Sequence, residues 1–246
     1  MMRLCFVLSA LSLSWFCAGH GHSADTTEPF DKGAIDAEVY LGVADPGATT
    51  GAAVSDLVLG YGLTKRLSLV VGTSLEGGLS SGDFNAEIHL GGLCNVVNTE
   101  HFDLDLMLMN HGGGEDFQRW QAEPGVELNL DSDGQRQGVG LYLRTSVAFG
   151  THPEKTDTGH RILFAWEVAS TLGAYWTMSA DHQLLVEADM GMVTRPESAF
   201  VFGGVAVGYN VVLTSWLELL NQVTLDVPQG EESVGYTLSL GVIMTL

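Results

Sequence analysis

Residues 56–75 read Asp56-Leu-Val-Leu-Gly-Tyr-Gly-Leu-Thr-Lys-Arg-Leu-Ser-Leu-Val-Val-Gly-Thr-Ser-Leu75. Large apolar residues occupy alternate positions on both sides of Thr64-Lys65-Arg66, and glycine or polar residues fill most of the positions between them. A period of two predicts β-strands, and the three-residue connection predicts an antiparallel hairpin. Because an isolated hairpin is unstable in water, its apolar face requires further strands or a nonaqueous surrounding.

The rest of the chain repeats this alternation in segments of about ten residues, which Gly, Asp, Asn, Ser and Pro separate. The predicted strands are 34–43, 53–63, 67–76, 84–95, 102–110, 120–130, 138–149, 161–176, 183–193, 199–210, 216–226 and 233–246. Strands of this length suit a tilted bilayer crossing, an even count is typical of bacterial outer-membrane barrels, and closure leaves no edge in lipid. The sequence therefore predicts an all-β fold, a transmembrane antiparallel up-and-down β-barrel of about 12 strands over residues 34–246. Ten or fourteen strands are the alternatives.

Aromatic residues of the apolar face fall near the strand ends. If the N-terminus is periplasmic, one group lies at the periplasmic ends and a second group at the outer ends. The first group is Tyr61, Phe102, Trp176 and Tyr209, and the second is Phe84, Trp120, Phe149, Phe164 and Tyr236. This placement predicts the two aromatic girdles of a membrane barrel.

The first 24 residues have the pattern of a secretory signal peptide: Arg3, then the apolar run Leu4–Cys17, then small residues. The apolar run is shorter than the ~20 residues that a spanning helix needs. We expect export through a cleaved signal peptide 1–24, followed by a short periplasmic segment 25–33. Cleavage leaves Cys94 as the single cysteine, so no internal disulfide is expected.

The chain is acidic, with 10 Lys+Arg against 30 Asp+Glu and a formal net charge of −20. A basic patch for nucleic acid or for an anionic membrane surface is therefore not expected. The 46% hydrophobic content and the 31 glycines also differ from those of acidic disordered chains.

The acids concentrate on the strand face that should enclose the lumen, together with one strand-borne base. The candidate pore-lining residues are Asp36, Glu38, Asp56, Glu87, Asp103, Asp105, Glu123, Glu127, Arg144, Glu167, Glu187, Asp189 and Glu218. Carboxylates along a low-dielectric passage favour cations, although a polar lumen without selectivity would carry similar residues. Twelve strands lie between a filled eight-stranded barrel and an open sixteen-stranded porin. We therefore expect passive diffusion of small solutes through a narrow, cation-preferring channel.

Glycine is also frequent at inward positions, among them Gly91, Gly125, Gly140, Gly173 and Gly241. Two interpretations are open. The missing side chains would leave room in the lumen, or the glycines would mark bends that the barrel needs to close.

The hairpin Gly60-Tyr-Gly-Leu-Thr-Lys-Arg-Leu-Ser-Leu69 resembles a recurring hairpin of small Gram-negative outer-membrane barrels, most nearly the putative transporters grouped with the meta-pathway of phenol degradation. The closing Tyr236-x-Leu-x-Leu-x-Val-x-Met-x-Leu246 is similar to the C-terminal signal of such barrels, which usually ends in an aromatic residue. The resemblance implies a location in the outer membrane and contact with its lipids. It also implies that strand 233–246 is recognised by the barrel-assembly machinery, and that small solutes pass, aromatic ones among the candidates.

Two other classes of function remain in view. A lipid-hydrolysing barrel needs a nucleophile and a histidine base. His89 is the histidine predicted inside a strand on the inward face, with Glu87 beside it, but no serine stands there in a recognisable nucleophile motif. We therefore expect no enzymatic activity and no cofactor.

Metal or partner binding by the outer loops is the remaining alternative. The predicted loop 150–160 contains His152, Glu154, Asp157 and His160, and a second small cluster is His111 with Glu115 and Asp116. Zinc or copper uses such ligands, but the spacing matches no tetrahedral signature. We expect ordinary solvated loops.

Overall fold

The computed structural model describes residues 32–45, 52–78, 84–99, 101–113, 119–131, 138–156, 159–179, 181–195, 198–227 and 235–245. The predicted signal peptide 1–24 and most of the segment 25–33 lie outside these residues. The strands are β1 Ile35–Asp45, β2 Ala52–Thr64, β3 Leu67–Gly78, β4 Phe84–Asn98, β5 Phe102–Gly113, β6 Arg119–Asp131, β7 Gly138–Thr156, β8 Gly159–Ser179, β9 His182–Arg195, β10 Ser198–Thr214, β11 Leu217–Val227 and β12 Gly235–Thr245.

The twelve strands form one closed barrel in which each strand pairs antiparallel with its neighbours in sequence. β1 and β12 complete the ring, with Val39 opposite Val242. The predicted fold and the count of twelve are confirmed. Closure pairs the backbone of every described strand, which hydrocarbon requires because it offers no hydrogen-bond partners. Recognition of β12 by the barrel-assembly machinery stays a prediction.

The two faces of each strand meet different surroundings. Leu41, Leu90 and Leu172 are exposed on the outside. Tyr40, next to Leu41 in sequence, and His89, next to Leu90, are buried inside. The outward aromatic residues include Tyr61, Trp120, Phe149, Phe164 and Trp176. An exterior of exposed leucine, valine and girdle aromatics is what a lipid-facing barrel requires, and a water-facing surface rarely carries it.

The described part of the chain contains no helix that is long and apolar enough to cross a membrane.

The ends of β2, β4, β6, β8 and β10 and the starts of β3, β5, β7, β9 and β11 all lie at one end of the barrel, which we call the short-turn end. At 99–101, the Thr99 N–H donates to the carbonyl of Phe102 at 2.9 Å. Both termini of the barrel, Ile35 and Thr245, lie at this end. Short turns at the end that carries the termini agree with the predicted periplasmic side.

Two predicted outer loops, 150–160 and 111–119, are partly strand. β7 and β8 continue in register to the pair Thr156 and Gly159, so residues 150–156 are strand rather than outer loop. β5 likewise continues to Gly113, past the predicted end at residue 110. Backbone pairing does not require apolar side chains, so a hairpin can continue beyond the apolar stretch by which it was recognised.

Several inward glycines accommodate a large side chain of the neighbouring strand. Gly173 lies opposite Tyr142 and Gly140 opposite Tyr175, and a Cβ at either glycine would fall about 2 Å from the facing tyrosine ring. Gly241 is covered by Tyr40 in the same way. These glycines therefore do not widen the lumen, because aromatic rings occupy the space that they leave.

The lipid-facing assignment makes a depth-dependent prediction. Leu172, 59% exposed, lies on β8 between Phe164 near one end and Trp176 near the other. We expect Leu172→Arg to lower the free energy of unfolding by about 2–4 kcal/mol, because an arginine near the midplane of the bilayer must be desolvated. Denaturant titration of the barrel in lipid vesicles measures the effect.

Met178→Arg is the matched control, because Met178 is exposed on the same strand but lies at the short-turn end. Its expected cost is about 0–1 kcal/mol, since the guanidinium reaches the interface there. Equal costs at both positions would contradict a bilayer around the barrel.

Candidate functional site

The structure places all thirteen candidate pore-lining residues on the inward face. Eleven of them are buried: Asp36, Glu38, Asp56, Asp103, Asp105, Glu123, Glu127, Arg144, Glu167, Glu187 and Glu218. Glu87 and Asp189 are half-buried. The predicted parity is therefore correct at each of these positions. Their burial shows a packed polar layer along the wall, which contrasts with the water-exposed lining of a wide pore.

Several of these carboxylates accept hydrogen bonds from neutral donors. The Tyr40 hydroxyl donates to Glu38 at 2.8 Å, and the Asn95 amide donates to Asp105 at the same distance. The Thr171 hydroxyl donates to Asp189. A neutral donor satisfies a carboxylate oxygen without cancelling its charge, so the layer keeps its acidic character.

Arg144 carries the permanent positive charge among the buried side chains that the structure describes. Its Nε and Nη2 both contact one carboxylate oxygen of Glu127, and Asn129 donates to the other oxygen at 3.1 Å. The Arg144 guanidinium also lies 5.8 Å from the centre of the Tyr142 ring. This guanidinium is therefore committed to a specific buried pair.

Glu187 is a second centre of the polar layer. The Tyr142 hydroxyl donates to one of its oxygens, and the Gln222 amide donates to the other at 3.2 Å. These contacts join β7, β9 and β11. Sequence reasoning singled out Glu187 but not Tyr142, because alternation shows that a tyrosine points inward without showing which acid it reaches.

Four polar side chains on consecutive strands form a continuous hydrogen-bonded row. The Ser74 hydroxyl lies 2.6 Å from His89 Nε2, the Nδ1 atoms of His89 and His111 are 2.7 Å apart, and His111 Nε2 lies 2.9 Å from Glu123 Oε2. The two imidazole rings meet edge to face. Ser74, His89, His111 and Glu123 are all buried.

This row corrects two interpretations of the sequence. A serine does lie beside His89, but it comes from the neighbouring strand, where no nucleophile motif reveals it. His111 is an inward residue of β5 that pairs with His89, and it does not belong to an outer loop. Glu115 and Asp116, the other two residues of the predicted cluster, lie outside the described residues. The inward parity of Ser74 and His89 was the available signal.

The described candidate metal ligands of segment 150–160 are not register partners of one another in the β7–β8 hairpin. His152 lies opposite Leu163, and His160 lies opposite Lys155. Glu154 is also part of β7, and Asp157 lies outside the described residues. The structure shows no group of three or more metal-ligating side chains within the described ranges.

An apolar cluster interrupts the acidic wall. Val58, Val70, Leu93 and Met109 are buried and packed together on the inward side of β2 to β5. Along β3, Val70 lies nearer to the short-turn end than Ser74 does. The inward face therefore offers both carboxylates and an apolar surface, a combination that the acid count by itself did not predict.

Comparisons with known proteins address the fold. No family model and no curated protein matches the chain. Among solved structures, it is similar to an outer-membrane channel from Pseudomonas putida F1, with a TM-score of 0.69, 12% identity and coverage of 89% of this chain and 98% of the other. For the NanC porin the TM-score is 0.62 at 10% identity, with coverage of 85% of this chain and 100% of the porin. For the translocator domain of the autotransporter NalP from Neisseria meningitidis the TM-score is 0.58 at 10% identity, with coverage of 98% of this chain and 97% of the domain.

These identities establish the fold alone, which is that of outer-membrane β-barrels. The resemblance inferred from the hairpin is confirmed at this level. Membership of the phenol-degradation transporter family stays a prediction.

Proposed function

We propose that the protein is an outer-membrane channel through which small solutes diffuse passively, with a preference for cations. The observation that carries this proposal is the inward wall, where eleven buried positions comprise ten acids and one base, Arg144, already paired with Glu127. The remaining carboxylates create a negative potential, which a low-dielectric barrel focuses along its axis.

Two of the three similar structures support a channel. The Pseudomonas putida protein is an outer-membrane channel, and NanC is a porin. The packed polar layer supports a narrow passage, because acids in a wide water-filled pore would be exposed. Passage of small solutes therefore fits this barrel better than passage of large ones.

The apolar cluster suggests a class of solute. A small organic cation with an apolar part would find carboxylates for its charge and Val58, Val70, Leu93 and Met109 for its apolar surface. Aromatic solutes, which the hairpin resemblance implies, would use the same cluster.

Hydrolysis is the weaker function, although Ser74 and His89 are in contact. Ser74 lies within β3, opposite Asp56 on β2 and Glu87 on β4. The backbone N–H groups around it are engaged in these ladders, so none of those described there is available to stabilise an oxyanion.

The cation preference is tested by recording from purified protein in planar bilayers under a salt gradient. We expect a reversal potential that favours cations, and we expect the double variant Glu38→Gln, Asp105→Asn to reduce that preference. Tyr40 and Asn95 can donate to the new amide oxygens as they do to the carboxylates, so the substitutions remove charge and preserve the contacts.

Asp181→Asn is the control, because it removes one acid at an exposed position in the short turn between β8 and β9. Its reversal potential should match that of the unmodified protein. An anion preference would overturn the charge argument, and absence of conductance would overturn the channel itself.

A further inference from the structure

A hydrogen-bonded row crosses five neighbouring strands of the wall. Asp56 on β2 hydrogen-bonds to Ser74 on β3 and lies directly opposite it. From Ser74 the row continues through His89 on β4 and His111 on β5 to Glu123 on β6, with the distances given above. We call Asp56, Ser74, His89, His111 and Glu123 the wall relay.

The number of hydrogens in the wall relay is fixed by its contacts. Five groups make four contacts, and each contact needs one hydrogen between its two heavy atoms. The Ser74 hydroxyl supplies one hydrogen, so the four titratable groups must supply three. Two neutral imidazoles carry only one each. The intact relay therefore contains one proton more than two neutral histidines and two ionised carboxylates would hold.

Four arrangements meet this requirement. In the first, Asp56 carries the extra proton and every donor points toward Glu123. In the second, Glu123 carries it and every donor points toward Asp56. In the third and fourth, both carboxylates are ionised and the histidine pair carries the proton. Either His89 donates to both Ser74 and His111, or His111 donates to both His89 and Glu123. A proton is thus exchanged between the ends of the relay when its hydrogens shift together.

We propose that the wall relay is a single proton-binding site of the channel, and that loss or gain of a proton there changes the cation preference of the lumen. The proposal deepens the proposed function and rests on it. The intact relay carries a net charge of −1, because two carboxylates share one extra proton. The unit titrates as a whole rather than as four independent groups.

The histidine pair is the point at which acid breaks the relay. When both imidazoles are protonated, each Nδ1 carries a hydrogen, and two N–H groups cannot face each other at 2.7 Å. Protonation of both imidazoles therefore forces His89 and His111 apart and leaves each of them positively charged. Loss of a proton at high pH leaves one contact without a hydrogen.

The groups around the histidine pair allow this interpretation. Glu87 on β4 is half-buried and lies opposite Ser74. Across the β5–β6 ladder, His111 lies opposite Gln121, which has no charge. On β7, the register that pairs Ala122 with Phe149 brings Ala148 level with Glu123. The acids that the structure describes beside the histidine pair are thus Glu87 and Glu123. At the other end of the relay, Asp56 lies opposite Tyr40 on β1, whose hydroxyl donates to Glu38.

The titration is followed by nuclear magnetic resonance of the 15N-labelled imidazoles of the full mature chain in lipid nanodiscs. We expect the His89 and His111 signals to change over the same pH range, with curves that one independent site cannot fit. His111→Gln removes the partner at Nδ1, so the midpoint of the His89 curve should move by at least about one pH unit, the size of interaction that defines a coupled pair.

Ser74→Ala is the milder second variant, in case a histidine substitution prevents folding. It removes the link to Asp56 and leaves the 2.7 Å contact, so the histidines should stay coupled to each other. His182→Gln is the control, because His182 is exposed at the short-turn end and its Nδ1 lies 2.8 Å from the Tyr209 hydroxyl. It should change neither the relay curves nor the conductance.

Bilayer recordings across the same pH range form the second part of the test. The cation preference should fall as the relay takes up its further proton, and it should not follow this curve in His111→Gln. Independent single-site titrations of His89 and His111 would overturn the relay even if the channel conducts. Coupled titrations in a protein that does not conduct would overturn the proposed function and leave the proton site standing.

Discussion

Arg144→Met is expected to lower the free energy of unfolding by about 3–5 kcal/mol, because it leaves the Glu127 carboxylate buried without its cation. Both residues are almost fully buried, and two guanidinium nitrogens contact one oxygen of Glu127. Asn129 donates to the other oxygen and cannot replace a charge. Denaturant titration of folding into lipid vesicles measures the loss.

The double variant Arg144→Met, Glu127→Leu tests whether the loss of stability comes from the missing attraction or from the buried carboxylate left without a cation. Removal of both partners takes away the ion pair and the uncompensated carboxylate together, so most of the stability should return. A single-variant cost below about 1 kcal/mol would contradict the burial of the pair, because exposed ion pairs contribute no more than that.

Gly173→Ala is expected to lower the free energy of unfolding by about 2–6 kcal/mol. The new Cβ would lie 2.1 Å from Cζ of Tyr142, so the ring must move. A displaced ring strains the packing, at about 1–3 kcal/mol, and loses the hydrogen bond to Glu187, at about 1–3 kcal/mol. The same vesicle titration reports the change.

Gly208→Ala is the matched control on another strand. Its Cβ would meet Leu185 and Leu220 at 3.4–3.6 Å, which is ordinary van der Waals contact. Its effect should stay within about 0.5 kcal/mol, as for substitutions that disturb no packing. In the double variant Gly173→Ala, Tyr142→Ala, the two costs should be less than additive, since each removes the same contact. Full additivity would show that Tyr142 does not occupy the space above Gly173.

The hairpin Asp56–Leu75 shows what the alternation of apolar and polar residues can predict. Its period of two places Leu57 and Leu69 outside and Ser68 and Ser74 inside, and the structure agrees at each position. Parity is a local property of an extended chain, because successive side chains point to opposite faces whatever the neighbouring strands do. The inward placement of all thirteen candidate residues follows from the same fact.

The ends of strands were less predictable. The apolar positions of β5 end before His111 and so predict an outer loop there, yet the strand continues to Gly113. The β7–β8 hairpin likewise continues to Thr156. Backbone pairing decides where such strands end, and apolar side chains show only where the lipid-facing part ends.

The sequence by itself determined that this is a closed barrel with a lipid-facing exterior and an acidic interior, because alternation and strand length are local. Only the tertiary structure decided which inward side chains meet: Ser74 with His89, His111 with Glu123, and Tyr142 above Gly173. These contacts depend on the register between strands. A slip of two residues preserves every inward and outward assignment and changes every neighbour, so the period of two cannot specify the register. The turns and the closure of β1 on β12 specify it.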